Sequence, residues 1–238
     1  MEWRFWKKKT PGRILKVRSR ADSDQISRID LTDLVPPAAD FLAHSAAAML
    51  VLSGEYSRAG RQAWSVVDQD ALARATQVAL DRYNTLHGLL ADYVPNATEA
   101  MVGPLAYVKE QMGRMVADRW FERVATCYVV GGFLTDFYRT LGHGLPTTLS
   151  NRVSEALSDT SDEGLCGEAL ARVVELDAQY VSRVSLWSRR LVGDTMLIAR
   201  NALPRINQVT STGDRFEPLF TDVLTSHSQR LDRLGLTA

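Results

Sequence analysis

Within ALDRYNTLHGLL, residues 79–90, Asp81 and Asn84 lie three positions apart. Residues at that spacing share one face of an α-helix, so both side chains reach the same point beside it. Carboxylate and amide oxygens so placed suit a hard cation, Mg2+, Mn2+ or Ca2+. His87 lies about 300° around the same helix from Asn84, near that face, but its neighbour three residues back is Asn84 itself and not a carboxylate. A lone His there is read as a core or groove residue. His44, His143 and His227 pair with no Cys, Ser or Asp in a pattern that signals nucleophilic catalysis. Cys127 and Cys166 lack the spacing of a zinc site or a disulfide scaffold, which points to a reducing, cytoplasmic setting. Walker loops and dinucleotide glycine fingerprints are absent.

Such side chains need helices to hold them, and the apolar pattern is helical almost throughout. Pro36 and Pro37 open a long first helix that runs to about Trp64, with Phe41, Met49, Leu52 and Tyr56 at helical spacing. A tight connection, with Asp68 or Asp70 as N-cap, leads into a second helix that ends near Tyr93. VPNATEAMVGPLAYVKE, with Pro95, Gly103 and Pro104, breaks the period and suits a long crossover. A third helix is expected from about Asp118 to Leu141, stopped by Gly142-His143-Gly144. Pro146 opens a fourth, interrupted near Gly164 and Gly167 and resumed through ARVVELDAQYV. SLWSRRLVGDTMLIARNAL forms a fifth, ended by Pro204, and FEPLFTDVLTSHSQRLDRLGL a sixth. Hairpin signals are nearly absent. The expectation is an all-α chain: four core helices, two plus two around the crossover, with two further C-terminal helices packed on them.

Charge divides the 238 residues unequally. Residues 1–20 carry Arg4, Lys7, Lys8, Lys9, Arg13, Lys16, Arg18 and Arg20 against Glu2, 8 − 1 = +7, while the whole chain is neutral, so the remainder is 20 − 27 = −7. Residues 1–28 are therefore set apart as a flexible basic arm, with Trp3, Phe5 and Trp6 interleaved, and 29–238 as the bundle. The arm is either a solvated tail whose aromatics fold back on the body or an attachment to RNA or an anionic membrane surface. The acidic body argues against a broad nucleic-acid surface. No apolar run is long enough for a membrane span, and an apolar helix face leaves a homodimer open.

GEYSRAG at 54–60, the helix holding Asp81, YVVGGFLTDFYR at 128–139, SDTSD at 158–162, SLWSRRLVGD at 185–194 and the terminal RLDRLGLTA together resemble actinobacterial ferritin-like proteins of the tRNA-(2-methylthio-isopentenyladenosine) hydroxylase-like family. The resemblance runs from about Ile29 to the C-terminus, and its most specific stretches, LWSRRLVGD and DFYR, are structural. It implies a ferritin-like four-helix bundle with a carboxylate-bridged di-iron centre that activates O2. One acidic ligand is implied on each of the first and third helices, and Glu-x-x-His on the second and fourth.

Carried over residue by residue, the first ligand falls on Glu55 and the second-helix motif on Asp81 and Asn84. The third-helix carboxylate meets Gly131 instead, and Asp136, five residues on, should point away from the ligand face. The fourth-helix motif becomes Asp159-Thr160-Ser161-Asp162. Both imidazoles are missing, both Glu are shortened to Asp, and one carboxylate is a glycine. One reading is an eroded site without cofactor, its polar groups bonded to one another, to Arg or to water, with Asp159 and Asp162 carried outward by a bend at Gly164 and Gly167. The others are a hard-cation site for Mg or Mn on Glu55, Asp81, Asn84, Asp159 and Asp162, or an altered Fe site. The functional expectation is a scaffold or binding protein; the alternative is a metal-dependent hydroxylase acting on a modified tRNA adenosine.

Overall fold

The structure, a computed structural model, describes residues 31–204 and 212–236. The basic arm, with Arg4, Lys7, Lys8, Lys9, Arg13 and Lys16, lies outside the described residues. After a short turn at Leu31–Asp33 come α1 (Ala38–Arg61), α2 (Val66–Leu90), α3 (Ala97–Ala100), α4 (Val102–Arg114), α5 (Trp120–Gly142), α6 (Thr147–Ala156), α7 (Ser161–Leu176), α8 (Ala178–Asn201) and α9 (Thr212–Arg233). No strand occurs among the described residues, and none of their helices is long and apolar enough to cross a membrane.

Pro37 precedes α1 in an extended conformation and ends the lead-in, since its fixed φ feeds directly into the first turn. The stripe Phe41, Met49, Leu52 and Tyr56 is fully buried, and Ala46, Ala47 and Ala48 lie beside it. Small residues there let α2 approach closely, and α1 and α2 share the most extensive helix contact among the described residues. The N-cap of α2 is Ser65, whose hydroxyl oxygen accepts from Asp68 N–H at 3.1 Å, rather than Asp68 or Asp70. Asp68 instead sits at N3, where its carboxylate accepts from the Ser65 hydroxyl and from Arg172.

α5 is buried on nearly every side, and α1, α7, α8 and α9 pack around it. With α1, α2 and α7 it makes the four-helix core, and α8 and α9 cover its outer side. The crossover is not irregular: it folds into α3, capped by Asn96, and α4, which packs on α1 and α8. Pro104 sits at the third residue of α4, a first-turn position where its missing N–H costs nothing. The fourth core helix breaks at 157–160, while Gly164 and Gly167 lie inside continuous α7. Asp177 then divides α7 from α8, its carboxylate accepting from Gln179 N–H at 2.8 Å.

Candidate functional site

At the centre of the bundle each of the four core helices contributes one polar side chain: Tyr56 from α1, Arg82 from α2, Thr135 from α5 and Asp162 from α7. Arg82 and Asp162 are each 2% exposed. The guanidinium grips the carboxylate with two bonds, Nη2 to Oδ1 at 2.7 Å and Nη1 to Oδ2 at 3.0 Å. The Tyr56 hydroxyl donates to Oδ2 at 2.8 Å, and Nη1 also donates to Thr135 Oγ1 at 3.2 Å. Nη2 reaches the Asp159 carbonyl, which ties α2 to the break before α7. Burial, and then the Asp162 charge, push the Tyr56 phenol well above its usual value, so it stays a neutral donor.

Gly131 completes this arrangement. A Cβ there would overlap the Tyr56 hydroxyl, so the glycine on α5 makes room for the tyrosine on α1. Its neighbour Gly132 does the same for a second cluster, because a Cβ at 132 would meet Arg230 Nε at 2.6 Å. Arg230, on α9, bonds Asp136, Glu163 (2.8 Å) and the Gly132 carbonyl (3.1 Å). Arg139 and Arg233 add bonds of 2.7 and 3.0 Å to the same two carboxylates. Burial lowers the Arg230 guanidinium to about 10, which leaves it charged at neutral pH, and raises the Glu163 carboxyl.

Of the five residues predicted to be a site, Asp81 and Asp159 line one cleft, while Glu55 and Asn84 are not among its lining residues. Asp81 and Asn84 are exposed, with Asp81 accepting from Gln77 Nε2 at 2.7 Å. Glu55 faces Arg58 and Arg123 at 3.3 and 3.7 Å. Asp159 is exposed, and its bonds from Ser161 hold its carboxyl below the ordinary range. Asp162 alone turns inward, which corrects the expectation that both Asp leave the core together. The reason is rotational. Ala75, Ala79, Arg82, Leu86 and Leu89 form the buried stripe of α2, and Asp81 is about 100° away from it. Arg82 falls in register with that stripe, and this was the signal in the sequence that could have found it.

Among the described residues no three His, Cys, Asp or Glu side chains converge to hold a metal ion. The donors at the bundle centre do not fit a di-metal centre either. They offer one carboxylate, already matched by a guanidinium, plus a phenol and a hydroxyl. A cation about 4 Å from Arg82 would be repelled by about 4 kcal/mol per unit charge at an effective dielectric of about 20.

A cleft of about 380 Å3 opens outside this pair, between α2 and α6. Val78, Asp81, Arg82 and Thr85 line one wall, and Arg152, Glu155, Ala156 and Asp159 the other.

Antiparallel α1 and α2, a helical crossover, then α5 and α7 with polar side chains meeting between them define a ferritin-like bundle. The chain belongs to the family described as the ferritin-like domain of actinomycetes, which it matches over residues 37–206. No curated protein matches it.

Proposed function

We propose that this bundle is related to the tRNA hydroxylase-like proteins, that a buried ion pair stands where such relatives hold iron, and that it serves as a non-redox scaffold or binding protein. The observation that carries this is the Arg82–Asp162 pair, one partner on α2 and the other on α7. A di-iron centre cross-links four helices by neutralising converging carboxylates. Here the guanidinium supplies the cross-link from within the chain, and Tyr56 and Thr135 satisfy much of what remains. The other carboxylates of the predicted set are paired with Arg or face solvent. The hydroxylase reading needs at least two metal-bridging carboxylates at the centre, and Arg82 opposes it by its charge.

The test is metal content, by inductively coupled plasma mass spectrometry, of protein purified without chelator, beside an Asp162→Asn variant. Less than about a tenth of an equivalent of iron or manganese in both is expected, since the donor set is hard-ligand-poor and already charge-matched. Stoichiometric metal in the parent that disappears in the variant would overturn the proposal.

A further inference from the structure

We propose that the outward face of α8 is a peripheral docking surface for bilayers that contain anionic phospholipid. The helix turns Val184, Leu191, Ile198 and Ala199 into the bundle. On its other side Arg183, Leu186, Arg190, Gly193, Leu197 and Arg200 are all exposed, and their spacing of three and four places them within an arc of about 100°. They make a ridge about 25 Å long in which arginines flank two leucines, Leu186 at 70% exposure and Leu197 at 43%.

The charge on this ridge is concentrated and uncompensated. α8 carries Arg183, Arg189, Arg190 and Arg200 against Asp194, 4 − 1 = +3, while residues 21–238 as a whole sum to −7. Asp194 is half-buried at the edge of the ridge. Arg183, Arg190 and Arg200 have no ion-pair partner among the described residues. Arg190 lies over the Trp187 ring at 5.4 Å and Arg200 over the Phe220 ring at 5.5 Å, contacts that hold a guanidinium in place and leave its charge for an incoming anion.

Charge alone would suit any polyanion, and the leucines choose among them. Against a nucleic acid Leu186 and Leu197 would meet a hydrated, charged backbone and gain nothing. At a bilayer the same leucines enter the acyl boundary while the longer arginines stay with the phosphate oxygens. A fluid bilayer also accepts a convex ridge without the matching groove that a protein partner must supply. Tyr107 of α4, half-buried, donates its hydroxyl to the Leu197 carbonyl at 3.2 Å, which sets beside the ridge an amphipathic ring suited to headgroup level. A two-fold dimer through this face is opposed, because its arginines would meet their own copies. No described helix is long and apolar enough to cross a membrane, so the contact is one of surface. The inference goes beyond the reading of the bundle centre, and neither depends on the other.

The experiment is flotation of the full chain with vesicles of phosphatidylglycerol and phosphatidylcholine in equal parts, beside vesicles of phosphatidylcholine alone. Retention on the anionic vesicles only is expected. Arg183→Gln, Arg190→Gln and Arg200→Gln together should weaken it roughly a hundredfold, about fivefold for each arginine near the surface. Leu186→Ser with Leu197→Ser should weaken it roughly tenfold, since two leucines no longer enter the acyl boundary. Residues 1–20 are basic as well, so unchanged retention in both variants would assign the attachment to them and overturn the proposal; no retention of the parent would do the same. Binding of an RNA duplex that the arginine variant loses and the leucine variant keeps, without retention on vesicles, would give the ridge to nucleic acid instead and overturn it too. A second readout leaves the arginines and leucines in place. Gly193 lies on the ridge, a Cβ there meets nothing within 4 Å, and Cys127 and Cys166 are buried. Gly193→Cys carrying an environment-sensitive fluorophore should shift its emission to the blue on anionic vesicles, and an unmoved spectrum would refute the docking of this face.

Discussion

Replacing Arg82 by Met keeps most of the side-chain volume in α2 and removes the charge. Asp162 would then be a carboxylate with 2% exposure whose remaining side-chain donor is Tyr56, at 2.8 Å. Breaking a buried pair from one side costs about 3–5 kcal/mol, because the other charge stays behind without compensation. For a chain of this size that is roughly 6–20 °C in Tm. Asp162 would escape part of the cost by taking up a proton, so its carboxyl in the folded variant should rise above the unfolded value. The folded state then binds more protons than the unfolded one, and stability falls as pH rises through that range. The deficit should therefore shrink on going from pH 7 towards about pH 5. Urea denaturation followed by far-UV circular dichroism measures it, since guanidinium salts would screen the interaction. Adding Asp162→Leu should recover all but about 1–2 kcal/mol, the residue being the Tyr56 hydroxyl left without its acceptor. A loss under about 1 kcal/mol, unchanged with pH, would mean that the pair behaves as a solvated surface contact, and the account of the bundle centre would fail.

Two other outcomes follow from neighbouring features. Gly131→Ala should cost about 1–3 kcal/mol by displacing the Tyr56 hydroxyl, and nearly nothing in a Tyr56→Phe background, where the closest ring atom is Cζ at 3.4 Å; equal penalties in both backgrounds would refute the fit. His227 is buried on α9 with neither ring nitrogen partnered among the described residues, and burial lowers its pKa, so the unfolded chain binds the extra proton and stability should decline as pH falls through about 6.5; His227→Met should flatten that decline in a pH series of urea midpoints.

Most of the architecture was legible because apolar residues recur at helical spacing and Pro37, Gly142 and Pro204 punctuate the chain. The helices of the crossover were hidden by Pro95, Gly103 and Pro104, all of which lie in or beside helix first turns where breakers do no harm. The bend at Gly164 and Gly167 was wrong for a related reason: glycine lowers helix propensity by about 1 kcal/mol, less than the burial of Cys166 and Leu170 in the same helix supplies. Tyr56 and Arg82, the polar side chains at the bundle centre, each follow by one position a residue singled out from the sequence, Glu55 and Asp81. Attention to residues able to bind metal passed over a cation that falls in the apolar stripe, and Gly131 looked like a lost ligand when it is the space that Tyr56 occupies.

The contact between α9 and α5 has a consequence for where the molecule can be cut. The family match ends at residue 206, yet Asp136 and Glu163, well inside it, are neutralised by Arg230 and Arg233 from beyond that limit, and Gly132 is shaped to admit one of them. The ion-paired interior therefore reaches past the matched residues. A fragment trimmed to the family boundary would expose a negatively charged seam along its most buried helix, and the smallest piece that balances its own interior charge extends through Arg233.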